Sequence, residues 1–79
     1  MHGSTPDSRV IAATFRDDVA ARRAVREVES HVDAARTATA PHADGFVVVV
    51  HVQHDRERAR ALIEACGGRI EADVPEAWL

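Results

Sequence analysis

Gly45-Phe46-Val47-Val48-Val49-Val50-His51-Val52 is the stretch on which the fold turns. Four consecutive valines, with Phe46 and Val52 outside them, leave neither face of an extended segment fully polar. That pattern marks a central strand of a sheet rather than an edge. A period of two sends Phe46, Val48, Val50 and Val52 to one face and Val47, Val49 and His51 to the other. Immediately upstream, Pro41-His42-Ala43-Asp44-Gly45 reads as a turn, with Asp-Gly its strongest signal. Residues 34–40 alternate Thr with Ala and predict a short edge strand, a weak one because Ala has poor strand preference. Pro41 is expected to stop its ladder.

Downstream, His54 or Asp55 is placed to cap a helix in which Ala59, Leu62, Ile63 and Cys66 form one stripe. Gly67 and Gly68 end that helix, since glycine accepts a left-handed cap without steric cost. Arg69 to Val74 alternates charged and apolar residues and predicts an edge strand with Ile70, Ala72 and Val74 inward, closed by Pro75. Toward the N-terminus, Val10 to Phe15 suits a strand with Ile11, Ala13 and Phe15 on one face and Val10, Ala12 and Thr14 on the other. Asp17 then caps a helix whose stripe is Ala21, Val25, Val28 and Val32, widened by Ala24.

The order is strand, helix, strand, strand, helix, strand. Two interleaved right-handed βαβ units then give an α+β, ferredoxin-like β-α-β-β-α-β two-layer sandwich: a four-stranded antiparallel sheet with two helices on one face. Residues 9–74 form this single domain. Residues 1–8 are polar and read as a disordered arm, and 75–79 as a tail carrying Trp78 and Leu79.

Composition narrows the function classes. A chain of 79 residues holds one core, and at this size folding buries only roughly 60–65% of the unfolded chain's surface, a shortfall that self-association relieves. The formal net charge of -3 supplies no basic field for phosphates. All 10 cationic residues are Arg, a skew that with the abundant Ala and Val reads as the mark of a GC-rich genome. A single Cys excludes an internal disulfide and suits a reducing cytosol. No apolar leader or run of about 20 apolar residues is present, so the expectation is a cytoplasmic protein with no membrane partner.

Several motifs invite chemistry and fail on inspection. His51 and His54 are three apart, with His42 in the preceding turn, but a zinc site wants three or four converging ligands and the lone thiol of Cys66 lies on a core stripe. No metal and no cofactor is expected. Arg22, Arg23 and Arg26, and Arg56, Arg58 and Arg60, alternate with acidic neighbours and read as solvated helix faces. The architecture is shared with RNA-recognition motifs, which stack bases on aromatic strand residues. Here Asp44 stands where a basic residue belongs, and Val48 and His51 occupy the later aromatic positions, so no nucleic-acid partner is expected. No paired carboxylates, Ser-His-Asp order or strand-to-helix glycine loop supports catalysis, so the chain does not read as an enzyme.

The layout from Val10 to Val74 resembles the small bacterial domains of the general stress protein (heat-induced stress protein) type. The matching features are a strand ending in Phe15-Arg16-Asp17, an Ala-rich amphipathic helix, a Gly-initiated valine strand from Gly45 to Val52, a charged helix from Arg56 to Cys66 closing in Gly-Gly, and a short strand with Arg69-Ile70-Glu71. The chain departs from the pattern after the first helix, where Asp33-Ala34-Ala35 stands in place of a closing glycine. The resemblance implies a bacterial, stress-associated, non-enzymatic module without assigned catalytic residues. A similar layout belongs to amino-acid-sensing regulatory domains with ligands at dimer interfaces, although their glycine-bearing loop is replaced here by Arg16-Asp17-Asp18.

The leading expectation is a protein-interaction module whose partner is itself. Its self-association surface would be Val10, Ala12, Thr14, Val47, Val49 and His51, the side of the sheet that the helices leave bare. The alternative reading is a regulatory domain holding a small-molecule ligand at a subunit interface.

Overall fold

Phe15 pairs with Phe46 and Arg9 with Val52, so that strand β1 (Arg9–Phe15) runs antiparallel beside β3 (Gly45–Val52) along its whole length. These two strands occupy the middle of a four-stranded antiparallel sheet. Its edges are β2 (Arg36–His42), paired with β3, and β4 (Arg69–Pro75), paired with β1. Helix α1 (Asp18–His31) follows β1, α2 (Arg56–Ala65) follows β3, and a 3-10 turn (Glu76–Trp78) closes the chain. The order β-α-β-β-α-β with sheet order β2-β3-β1-β4 is the ferredoxin-like α+β sandwich. The computed structural model describes residues 8–78, and for Trp78 the backbone only. The expected N-terminal arm therefore lies, apart from Ser8, outside the described residues. Ser8 is buried, and its carbonyl accepts a bond from the Glu76 amide at 2.9 Å.

Alternation along the central strands decides where the core sits. Ile11, Ala13 and Phe15 of β1 and Val48, Val50 and Val52 of β3 are buried on the helix side. They meet Ala21, Ala24, Val28 and Val32 of the α1 region and Ala59 and Ile63 of α2. The two helical stripes are those the sequence predicts, with Val25, Leu62 and Cys66 half-buried at the margin of the core. Asp17 caps α1 as expected, its Oδ1 accepting from the Ala20 amide at 2.8 Å.

The structure corrects four local expectations. Asp55 holds the N-cap position of α2, but in the left-handed region (φ 58, ψ 42), where its side chain makes no capping bond. His54, the other expected cap, is not at that position. The turn before β3 is shorter than expected: β2 continues through Pro41 and His42, which pair with Phe46 and Gly45, and only Ala43 and Asp44 turn. Pro41 is tolerated because β2 is an edge strand with an unpaired outer side. Last, Ala72 and Val74 do not point inward. The β1–β4 register shifts between Ala12 and Ala13, whose partners are Ala72 and Ile70, so Glu71 is an extra residue. Ile70 keeps its inward place, and beyond the bulge Ala72 and Val74 turn to the open face while Asp73 turns toward the helices.

Candidate functional site: the open sheet face

Residue pairing across all four strands arranges the face away from the helices in three rows. The first reads Arg36, His51, Val10 and Val74; the second Ala38, Val49, Ala12 and Ala72; the third Ala40, Val47, Thr14 and Arg69. All six residues expected on this face are brought together: Val10 beside His51, Ala12 beside Val49, Thr14 beside Val47. The edge strands add Ala38, Ala40, Ala72 and Val74. The Thr-Ala alternation of β2 carried the signal for the first two; the bulge concealed the others.

The middle row is apolar from edge to edge and made of small side chains, so the centre of the face offers shape rather than hydrogen bonds. Ala38, Ala40 and Ala72 are exposed, and Ala12, Val47, Val49 and Val74 are half-buried. Val10 is the exception at 8% exposure, because the 3-10 turn after β4 folds back on β1, tied by the Glu76 amide to Ser8. Polar groups flank the apolar row on both sides. On one side, His51 Nδ1 is buried with no hydrogen-bond partner among the described residues and stands 3.9 Å from Glu76 Oε1, with Arg36 beside it on β2. On the other, Thr14 Oγ1 donates to Glu71 Oε2 at 2.9 Å, and Arg69 Nε lies 3.6 Å from the same carboxylate oxygen.

The helix side of the sheet carries a different cluster, which sequence reading missed. Asp73, its side chain 8% exposed, accepts from Arg9 Nε and from Arg60 Nη1, each at 2.8 Å, and Arg56 Nε lies 3.8 Å away. Arg9 Nη2 also donates to the Asp73 carbonyl at 2.9 Å. Burial pushes the Asp73 carboxyl pKa up. The hydrogen bonds from Arg9 and Arg60 and the charges of Arg9 and Arg56 outweigh it, and hold the pKa below the usual aspartate value. With all four groups paired, the cluster fastens β4 to β1 and α2.

Among the described residues two open clefts border the sheet. One, of about 550 Å³, lies at the start of α2 between Arg9, His54 and Arg56. The other, of about 530 Å³, lies at the β2–β3 turn between Phe15, Arg16, His42, Phe46 and Arg69. Among the described residues no three His, Cys, Asp or Glu side chains group so as to hold a metal ion. Within the same residues no helix is long and apolar enough to cross a membrane. Comparison of the chain with protein-family models, with curated proteins and with solved structures finds no match in any of the three.

Proposed function

We propose that the protein is a non-enzymatic interaction module that assembles with further copies of itself through the open sheet face. The observation that carries this reading is the middle row, Ala38-Val49-Ala12-Ala72. It is apolar across all four strands, and the helices of its own chain lie on the opposite side. Flat sheet faces of small side chains pack well on one another at about 10 Å, and a small domain gains the burial that its own core cannot supply. A bacterial and stress-associated setting accompanies the reading through the resemblance to small general stress proteins, and a cytoplasmic one through the single Cys, which suits a reducing compartment.

The test is sedimentation of Val49→Asp, which sets a carboxylate in the middle row, beside Val19→Asp on the exposed face of α1, where Val19 is 76% exposed. Val49→Asp is expected to lower the oligomer toward the mass of one chain or to lose stability, and Val19→Asp to leave both unchanged. An unaltered mass and melting temperature for Val49→Asp would overturn the reading.

One observation favours a second reading, a regulatory domain with a ligand between subunits. Thr14 and Arg69 belong both to the third row of the open face and to the cleft of about 530 Å³, so a second copy on the face would complete that cleft. A thermal-shift panel of amino acids and nucleotides separates the two, because a ligand of the native state raises the melting temperature.

A further inference from the structure

The two edges of the sheet are defended unequally. An edge strand exposes a row of unpaired amides and carbonyls, and charge, bulges and proline are the usual means of preventing another strand from adding there. β4 has all three: Arg69, Glu71 and Asp73 along its length, the bulge at Glu71, and Pro75 at its end. β2 pairs with β3 over seven residues without a register break. Its one charged residue is Arg36 at the start, its proline is next to last, and every residue except Thr37 is exposed. From Arg36 to Ala40 no proline, no bulge and no second charge stands against a further strand.

The same five residues, Arg36-Thr37-Ala38-Thr39-Ala40, are close to a palindrome about Ala38. In an antiparallel pair centred there, Ala38 meets Ala38 of a second copy, each Thr37 meets a Thr39, and each Arg36 meets an Ala40. Thr-Thr pairs are favourable across strands, and no like charges oppose. The paired run ends before Pro41, which could donate no bond. Centring on Thr39 instead would set Pro41 against Thr37 and Arg36 against His42. Thr37 and Thr39 share the helix side of the strand, opposite the buried Val50 and Val48 of β3. Thr37 Oγ1 is held there by a 2.6 Å bond to Glu29 of α1.

We propose that β2 pairs antiparallel with β2 of a second copy about a two-fold axis at Ala38, joining two four-stranded sheets into one of eight. The edge is a different surface from the open face, so this pairing stands or falls separately from face-to-face assembly. It also continues each row of the open face into its partner.

The test is disulfide trapping in a Cys66→Ser background, which removes the native thiol. Chains carrying Thr37→Cys, uniformly labelled with heavy nitrogen, and unlabelled chains carrying Thr39→Cys are mixed, oxidised mildly and resolved by non-reducing mass spectrometry, the label giving the mixed disulfide a mass between those of the two homodimers. Opposed residues of an antiparallel pair have Cα atoms about 4.5–5.5 Å apart, within the span of a disulfide. The mixed disulfide is expected to exceed the two homodimers combined. Stacked open faces would not give this result, since both threonines lie on the other side of the sheet. A mixed yield no greater than that sum, or no disulfide at all, would overturn the proposal. Repeating the trap with Ala72→Asp, an exposed middle-row residue on the far strand β4, separates the surfaces: the mixed disulfide is expected to persist there, and its loss would overturn the independence of the edge.

Discussion

Arg9 Nε lies 2.8 Å from Asp73 Oδ1 across the β1–β4 pair, and this contact exists because Glu71 bulges out of the strand between Ile70 and Ala72. Were β4 to alternate regularly from Ile70, with no bulge at Glu71, Asp73 would lie on the open face and Ala72 toward the core. The bulge therefore does two things at once: it brings a carboxylate among Arg9, Arg56 and Arg60, and it turns Ala72 and Val74 onto the open face.

Asp73→Asn keeps the shape and removes the charge. With partners that are themselves partly exposed, the loss is expected to be about 2 kcal/mol, within the range for hydrogen bonds to charged groups. Urea unfolding at neutral pH measures it. The pH dependence has a definite sign. A carboxyl whose folded pKa lies below its unfolded value of about 3.9 stabilises the fold fully above that value and ceases to do so as pH falls through the folded one. The gap in stability between the natural chain and Asp73→Asn should thus narrow as pH is lowered below about 4. A gap that stays constant would mean that the charge contributes nothing.

Gly45 opens β3 where a side chain has no room. A Cβ there would stand 2.1 Å from the carbonyl oxygen of Phe15, a backbone atom that cannot swing aside. Gly45→Ala is expected to cost about 3 kcal/mol, the upper end for overpacking. Gly67→Ala meets nothing within 4 Å, and bears only the strain of φ +91, about 1–2 kcal/mol. Thermal melts of the two chains should rank them in that order.

The two helix starts should respond unequally to loss of their aspartates. Asp17→Ala removes the bond to the Ala20 amide and should cost about 1 kcal/mol. Asp55 makes no such bond and sits at φ 58. Asp55→Gly should therefore change stability by less than about 0.5 kcal/mol, relief of the left-handed strain offsetting the greater freedom of the unfolded chain. Chemical denaturation of both variants checks the contrast.

Much of this architecture was legible in the residues. The valine run from Val47 to Val50, the alternation in β1 and the two helical stripes together dictate a central strand pair with helices on one side. The same alternation placed Val10, Ala12, Thr14, Val47, Val49 and His51 on the vacant side. The bulge was not legible, because Arg69-Ile70-Glu71-Ala72-Asp73-Val74 alternates as a regular strand does and its extra residue is fixed only by pairing with β1. The Asp73 cluster was hidden for the same reason. The length of β2 was missed because Ala and Pro are poor strand formers in isolation, and the strand forms there by pairing with β3.

Isotope-filtered NMR on a mixture of labelled and unlabelled chains tests the assembly of the open face most directly. Magnetisation transfer between chains is expected at the methyl groups of Val49, Ala12 and Ala72, whose positions in the middle row no other surface shares. The absence of any intermolecular transfer at these methyls, at concentrations where the protein is fully folded, would contradict assembly through this face.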